Sequence, residues 1–216
     1  MTTNNQEQLK HDAAILLQEM FLDFRQVMLK WAKITGQSSQ LDAGYIAQHL
    51  VSLLTGKRGI GWRGKGLDLE DGSEEKSASS VDGIDVPRWN HNFVKAEKVN
   101  AWLQVPTIYY VLFDGTRSAE IPRVRVRVWA VTPSTDNAYQ TVLRAWRDLP
   151  TKSDNFQLHP PVGKDSNIAT NNCGNLELPL MFFAHENEQG QMEVDFLQLT
   201  ELSGCRLIES FRGRAA

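Results

Sequence analysis

An acidic segment, residues 66–78 (GLDLEDGSEEKSA), contains the side chains best suited to chemistry. Five of the eight residues from Asp68 to Glu75 are acidic, and the run ends at Lys76. Two neighbouring carboxylates repel each other unless a cation lies between them, and hard carboxylate oxygens suit Mg²⁺. A nearby lysine can polarise a metal-bound water or stabilise a charged transition state. The segment therefore indicates a phosphodiester-cleaving site formed by Asp68, Glu74 and Lys76, with Asp68 and Glu74 as metal ligands.

The spacing of these residues predicts a β-hairpin. A three-residue loop, 70–72 (EDG), places glycine at the left-handed position that such loops favour. Because side chains alternate along a strand and opposed residues share a face, Asp68, Glu74 and Lys76 would project to one side and Glu75 to the other. A two-residue loop would instead pair Asp68 with Glu75, so the register stays open.

A basic, glycine-rich arm, residues 57–66, comes immediately before the acidic residues of the predicted hairpin. Its glycines let the backbone approach a ligand closely, and its cations suit a phosphate backbone. The candidate DNA contacts in this arm are Lys57, Arg58, Arg63 and Lys65. Residues 59–65 also match GxGxxG and the beginning of a P-loop. Residue 66 is glycine where a P-loop needs serine or threonine, and the required helix does not follow, so a nucleotide-binding loop is disfavoured.

Two further segments could contact DNA. In segment 123–131 (RVRVRVWAV) arginines alternate with valines, so the arginines share a face that is either solvated or a DNA contact surface. Segment 87–92 (PRWNHN) is rich in hydrogen-bond donors, and Arg and Asn can pair with guanine and adenine edges. A loop held by side-chain hydrogen bonds is the alternative for this second segment. The candidate contacts are Arg88, Asn90, His91, Asn92, Arg123, Arg125 and Arg127.

The elements that must position these residues are predicted from apolar periodicity. Residues 8–34 form a long amphipathic helix whose apolar stripe serves either the core or a dimer seam. Its stripe comprises Leu17, Phe21, Phe24, Met28 and Trp31. The other predicted helices are 42–54, 94–103 and 136–148, and the predicted strands are 107–113, 123–131, 176–184, 192–199 and 205–211. The long polar segment 155–175 is predicted to be a DNA-facing or dimer loop.

The composition is that of an ordinary globular protein. A chain of 216 residues with 41% hydrophobic residues predicts one domain, comprising an N-terminal helix (1–36), a catalytic core (42–150), and a recognition loop with C-terminal strands (151–216). The net charge of −3 does not exclude a DNA-binding face, which needs only local positive potential. The sequence shows no secretory signal, no apolar run that spans a membrane and no disulfide framework, so we expect a cytoplasmic protein.

At the acidic segment, the sequence resembles the PD-(D/E)xK nuclease superfamily, and type II restriction endonucleases in particular. Residues 74–76 (EEK) match the E-x-K half of the motif, and Asp68 is the candidate first acid. Asp71, Asp82 or an acid from a helix could take its place. The resemblance implies an α/β (α+β) fold with a mixed central sheet flanked by helices, built from a helix, three antiparallel strands, a helix and a further strand.

The resemblance also implies a function. It implies Mg²⁺-dependent, sequence-specific hydrolysis of double-stranded DNA that leaves 5′-phosphate and 3′-hydroxyl ends, as part of a restriction–modification system. It implies a homodimer, because cutting both strands of a symmetric site calls for two-fold symmetry. A DNA methyltransferase would be a functional partner rather than a physical one. The alternatives are a repair or resolvase nuclease with the same core, and a non-catalytic DNA-binding module in which the acidic segment is only a solvated turn.

Overall fold

Helices make up the N-terminal region of the chain. The computed structural model describes residues 3–39, 41–60, 68–81, 86–92, 96–115, 123–149 and 155–211. Helix α1 (Thr3–Leu17), a π-helical turn (Gln18–Asp23) and helix α2 (Phe24–Thr35) follow one another directly. Helix α3 (Ala43–Thr55) begins where the Asp42 carboxylate accepts a hydrogen bond from the Gly44 N–H, and it ends at left-handed Gly56 (φ 68°). These bounds confirm the helices predicted at 8–34 and 42–54.

The remaining elements alternate between strands and two short helices. The helices are α4 (Ala96–Trp102) and α5 (Asn137–Arg147). The strands are β1 (Glu74–Ser79), β2 (Trp89–Asn92), β3 (Ile108–Gly115), β4 (Val124–Val131), β5 (Asn155–Leu158), β6 (Ile168–Asn171), β7 (Gly174–Glu177), β8 (Leu180–Glu186), β9 (Met192–Leu197) and β10 (Arg206–Ser210). The predicted polar loops at 87–92 and 155–175 were wrong in part, because β2, β5 and β6 lie within them.

A five-stranded mixed sheet forms the centre of the fold, in the order β1-β3-β4-β8-β9. β1 runs parallel to β3, with Lys76 opposite Tyr110, whereas the other neighbouring strands are antiparallel. The mixed sheet flanked by helices agrees with the predicted fold class. The parallel pairing corrects the expectation of three antiparallel strands. A three-stranded sheet, β10-β7-β6, and a two-stranded ribbon, β2-β5, complete the strand pairing.

Each face of the central sheet packs against its own layer. On one face, alternate residues such as Val111 and Val126 pack with apolar residues of α1 and α3, including Leu17 and Leu50. On the opposite face, the intervening residues pack with α4, α5 and the two smaller sheets. This second core contains Tyr110, Leu112, Trp129, Tyr139 and Phe156. The period of two along β3 and β4 therefore assigns each side chain to one of two cores.

The predicted apolar stripe of the N-terminal helix divides between core and solvent. Leu17 and Phe21 are buried, whereas Phe24 and Trp31 are about half exposed (52% and 53%). No residue of α2 is buried in the described structure. The first half of the stripe thus serves the core, and the second half is a surface. No helix among the described residues combines the length and apolar character needed to cross a membrane.

Candidate active site at the start of β1

Asp68 lies in the turn that leads into β1, and both of its carboxylate oxygens accept hydrogen bonds. Oδ1 accepts one from the Gln48 side-chain amide on α3 (2.9 Å), and Oδ2 accepts one from the backbone N–H of Glu75 (2.8 Å). Gly72 has a φ of 85°, which confirms that glycine occupies a left-handed position in this turn. The turn therefore fixes the Asp68 carboxylate beside the first residues of β1.

The predicted hairpin around this turn requires correction. The Leu69 N–H donates to the Ser73 carbonyl (3.1 Å), but β1 pairs with β3, and Leu69 pairs with Gly59 in an isolated bridge. Asp68 is therefore held by side-chain hydrogen bonds rather than by a strand facing Glu74. β1 does not form the predicted hairpin because its six residues pair by backbone hydrogen bonds with the buried strand β3.

Glu74 and Lys76 share one face of β1 and contact each other. The Lys76 ammonium donates to Glu74 Oε1 and to the Glu75 carbonyl oxygen (3.1 Å). Glu74 is 6% exposed, and its Oε2 atom is buried without a hydrogen-bond partner in the described structure. Burial raises the pKa of Glu74. The negative charge of the nearby Asp68 raises it further, whereas Lys76 lowers it. The predicted arrangement of Glu74 and Lys76 on one side of a strand is confirmed.

Glu75 projects to the other face of β1, beside Tyr109 of β3. It is 5% exposed, and its Oε1 atom also lacks a hydrogen-bond partner among the described residues. Burial is the main reason that its pKa is raised well above the usual range; Lys76 lowers it, while Asp68 and Glu74 raise it further. Two buried carboxyl groups, those of Glu74 and Glu75, therefore lie close enough to the half-buried Asp68 for the three to influence one another electrostatically.

This donor set fits a hard divalent cation. Within the described ranges, no group of three or more His, Cys, Asp or Glu side chains forms a ready-made metal centre. Glu74 nevertheless presents a buried carboxylate oxygen that no described residue contacts by a hydrogen bond, and burying such a group is unfavourable unless a cation or donor satisfies it. Asp68 and Glu74 are the side chains that could hold an ion such as Mg²⁺, since each carboxylate oxygen can accept more than one interaction.

The alternative first acids differ in their surroundings. Asp71 pairs with Lys57 (2.6 Å) and accepts hydrogen bonds from the backbone and the hydroxyl of Ser73. Burial opposes the shift, but these hydrogen bonds lower the pKa of Asp71. Its carboxylate is committed to the turn, which favours Asp68 as the first acid. Asp82 lies outside the described residues.

The candidate DNA contacts of the basic arm are only partly described. Lys57 pairs with Asp71 and donates to the Tyr109 hydroxyl (3.3 Å), whereas the Arg58 side chain is exposed. Arg63 and Lys65 lie outside the described residues. Lys57 therefore holds the turn beside β1, and Arg58 is the exposed cation in the described part of the arm.

Asn90 of β2 and Arg88, which lies just before this strand, are exposed, and nothing is described of the side chain of Asn92. His91 is fully buried, with its ring nitrogens against the Phe156 carbonyl (3.2 Å) and the Tyr110 hydroxyl (2.8 Å). The expectation that His91 contacts DNA is therefore corrected. Alternation along β2 turns His91 inward while Asn90 faces solvent.

The arginines of β4 also require a correction. Arg125 and Arg127 are only 3% and 4% exposed, and both pair with the fully buried Asp114 of β3 (2.9 and 3.1 Å). They also donate to backbone carbonyl oxygens in the segment after β5, including that of Lys164 (3.0 and 3.1 Å). They form neither the solvated face nor the DNA surface that the alternation suggested. Arg123, which lies before β4, has a side chain that is 39% exposed.

Gln48 and Trp102 are contributors that the sequence did not reveal. Gln48 is one of several polar residues of α3, with His49 and Ser52, and only its place beside the apolar face of that helix could have singled it out. Trp102 places its ring 5.6 Å from the Lys76 ammonium. The sequence carried no signal for this contact, because α4 reaches β1 only through the tertiary fold.

Comparison with known proteins matches this chain to restriction endonucleases. The MamI restriction endonuclease family matches residues 30–194. A curated relative, the type II restriction enzyme MamI of Microbacterium ammoniaphilum, is 40% identical over 183 residues, covering 75% of this chain and 58% of the relative. This chain thus spans just over half the length of that relative. No solved structure matches the chain. From the family match and the shared identity, the chain belongs to the MamI restriction endonuclease family.

Proposed function

We propose that the chain is a Mg²⁺-dependent, type II site-specific endonuclease that hydrolyses double-stranded DNA, with Asp68, Glu74 and Lys76 as its catalytic residues. The observation that carries the proposal is the buried Glu74 Oε2 atom, which has no hydrogen-bond partner among the described residues and lies near Asp68 and Lys76. The family match supports the reaction class, and residues 30–194 span the whole candidate site. Asp68, Glu74 and Lys76 would then form a PD-(D/E)xK site in a single nuclease domain, with the first acid in a turn rather than on a neighbouring strand.

The residues have separate roles in the proposed reaction. Asp68 and Glu74 hold the cation, and the hydrogen bonds from Gln48 and the Glu75 N–H keep Asp68 in place. A bound Mg²⁺ supplies Lewis-acid activation of water and charge neutralisation at the scissile phosphate. The Lys76 ammonium stabilises negative charge that develops on phosphate oxygens during in-line attack. Cleavage leaves a 5′-phosphate and a 3′-hydroxyl.

The proposed DNA surface is smaller than the one predicted from the sequence. Arg58, Arg88, Asn90 and Arg123 remain as candidate contacts because their side chains are exposed or partly exposed. Arg63, Lys65 and Asn92 remain expectations, and Lys57 supports the turn as well as the surface potential. His91, Arg125 and Arg127 are removed from the set because they are buried.

The apolar face of α2 supports the proposed homodimer. Phe24, Val27, Trp31 and Ile34 are each about half exposed or more and recur along one side of the helix. An antiparallel pair of α2 helices would cover both faces and bring the acidic Asp23 end of one helix near the basic Lys33 end of the other. Such a dimer suits cleavage of a symmetric site. The cell would need a methyltransferase that protects its own DNA, which makes the protein part of a cytoplasmic restriction–modification system.

Digestion of unmethylated DNA tests the proposal. The purified chain with Mg²⁺ is expected to cut a large plasmid into discrete fragments with 5′-phosphate ends. Glu74→Gln and Lys76→Met should abolish cleavage, whereas Glu193→Gln, which changes an exposed acid at the opposite edge of the sheet, should not. Full activity in both site variants would remove the proposed site.

Two substrates and one titration separate the alternatives. A preference for branched or nicked DNA without discrete fragments would indicate a resolvase or repair enzyme. Calorimetric titration with Ca²⁺, which binds oxygen ligands as Mg²⁺ does, should give binding that is lost in Asp68→Asn and Glu74→Gln. DNA binding without cleavage, together with no such cation binding, would indicate a non-catalytic module.

A further inference from the structure

The Lys76 ammonium lies between its carboxylate partner and an aromatic ring. Its Nζ atom is 5.6 Å from the centre of the Trp102 ring, a distance at which a cation is attracted to the face of an indole. The lysine side chain is 22% exposed, so most of it lies against protein. A lysine stem has four rotatable carbon–carbon bonds, and the ring restricts where its ammonium can lie.

The Trp102 ring is itself fixed by buried hydroxyl groups. Its Nε1–H donates to the Tyr139 hydroxyl (3.1 Å), and the Tyr139 and Tyr110 hydroxyls lie 3.0 Å apart. The Tyr110 hydroxyl reaches His91 Nε2 (2.8 Å), and the ring of His91 packs edge-on against Trp102 at 5.0 Å. These four side chains come from α4, α5, β3 and β2, so the ring is held by the whole second core.

The donor and acceptor of each hydrogen bond among Trp102, Tyr139, Tyr110 and His91 follow from the two ends of the series, the indole N–H and the histidine ring. His91 Nδ1 faces the Phe156 carbonyl oxygen, which only accepts, so Nδ1 carries the proton. Burial, with a smaller effect of Lys76, lowers the pKa of His91 to about 3, so the ring is neutral and Nε2 is an acceptor. Tyr110 must then donate to His91, Tyr139 must donate to Tyr110, and Trp102 donates to Tyr139. Every member has a partner, which makes the arrangement rigid.

We propose that Trp102 is a positioning residue for Lys76, and that the hydrogen-bonded chain through Tyr139, Tyr110 and His91 fixes the indole face against which the ammonium lies. Trp102 acts through Lys76 and does not itself touch the reacting atoms. The expected effect on DNA cleavage rests on the function proposed above. The contact between Trp102 and Lys76 does not rest on it and can be measured separately.

Nuclear magnetic resonance measures the contact without any nuclease assay. In protein labelled with ¹³Cε-lysine, the Lys76 ¹Hε resonance should lie upfield of the exposed lysines because of the ring current of Trp102. Its assignment follows from its loss in Lys76→Met. The upfield shift should disappear in Trp102→Leu and be reduced but retained in Trp102→Phe, which keeps a ring face but loses the hydrogen bond to Tyr139. A Lys76 resonance that coincides with those of exposed lysines in the unmodified chain would overturn the proposal.

Single-turnover cleavage measures the consequence. Trp102→Leu should lower the cleavage rate of bound DNA by about tenfold with little change in the DNA concentration at half-maximal rate. Trp102→Phe should recover only part of the rate, because it keeps a ring beside Lys76 but loses the hydrogen bond to Tyr139. Trp146→Leu is the matched control, because Trp146 lies in the same core and packs against Phe156 but is not among the rings near Lys76.

The two measurements separate failure of this proposal from failure of the proposed function. If Trp146→Leu lowers the cleavage rate as much as Trp102→Leu, the effect is general core damage and the positioning role is refuted. If the chain cuts no DNA, the proposed function fails, and the Lys76 resonance alone decides whether Trp102 holds the ammonium. A preserved upfield shift in Trp102→Leu also refutes the proposal.

Discussion

The buried carboxylate of Asp114 is expected to be one of the most sensitive positions for stability in the chain. It is fully buried and accepts hydrogen bonds from Arg125 Nε (2.9 Å), from Nη2 of Arg125 and of Arg127 (3.1 Å each) and from the Gly163 N–H (2.8 Å). In Asp114→Asn, an amide cannot accept at both ends, and two buried guanidinium groups lose their shared counter-charge. Removing one partner of a buried ion pair typically costs about 3–5 kcal/mol.

This loss can be compared with the total stability of a domain. The free energy of unfolding of a domain is typically about 5–15 kcal/mol, and in a chain of this size each kcal/mol lost lowers the melting temperature by about 2–4 °C. We therefore expect Asp114→Asn to melt about 6–20 °C lower. Urea unfolding followed by tryptophan fluorescence, without divalent cations, gives the change in free energy directly.

Asp165→Asn provides the matched control, because Asp165 pairs with the same guanidinium of Arg125 (2.6 Å) but has a side chain that is 90% exposed. An exposed ion pair contributes at most about 1 kcal/mol, so this variant should remain close to the original stability. If the two variants lose the same small amount, the reasoning that burial makes Asp114 indispensable is refuted.

Three further predictions concern the acidic site and the surface of α2. Without divalent cations, Glu75→Gln should be more stable than the original chain, and its advantage in the free energy of unfolding should grow as pH rises above about 4.5. The raised pKa of Glu75 means that the folded original chain binds more protons than the unfolded one, so the stability of the original chain falls with rising pH. Urea unfolding at several pH values checks the sign. Gln48→Leu should weaken cation binding to the Asp68 site by about tenfold, measured by calorimetry with Ca²⁺, because it removes a hydrogen bond that orients a ligand; Gln189→Leu in the β8–β9 turn is the control and should not change it. Trp31→Glu should dissociate a dimer formed through α2, measured by sedimentation velocity, and an unchanged sedimentation coefficient for a dimeric original chain would place the seam elsewhere.

The features that could be predicted from the sequence are those that depend on local patterns. The alternation of arginines and valines correctly predicted β4 and correctly assigned the valines to a core. The spacing of Glu74 and Lys76 correctly predicted that they share a face, because that depends only on the period of a strand. The left-handed Gly72 followed from the preference of such turns for glycine. Each of these depends on residues that are close together in the chain.

The features that the sequence did not predict depend on partners far along the chain. The alternation of Arg125 and Arg127 with valines is typical of a strand with one solvent-exposed face. Their burial depends on Asp114 and on the segment after β5, which supply their hydrogen-bond partners. His91 was in a polar segment, but pairing of β2 with β5 turned it inward. The parallel pairing of β1 with β3 was also unforeseen, since the intervening residues 80–107 were interpreted as a loop and a short helix rather than as a crossover that includes β2.

The parallel register of β1 explains why carboxyl groups lie on both sides of this strand. Glu74 faces the core that contains Trp102, and Glu75 faces the layer that contains α3, so each is buried by a different set of neighbours. A shift of one residue would exchange the two and move Lys76 away from Trp102. Both carboxyl groups have raised pKa values, and each has an oxygen with no hydrogen-bond partner in the described part of the chain, so the folded protein carries an electrostatic penalty at this edge. A cation bound by Glu74 and Asp68 would reduce that penalty, so cation binding should stabilise the fold by an amount that Glu74→Gln removes.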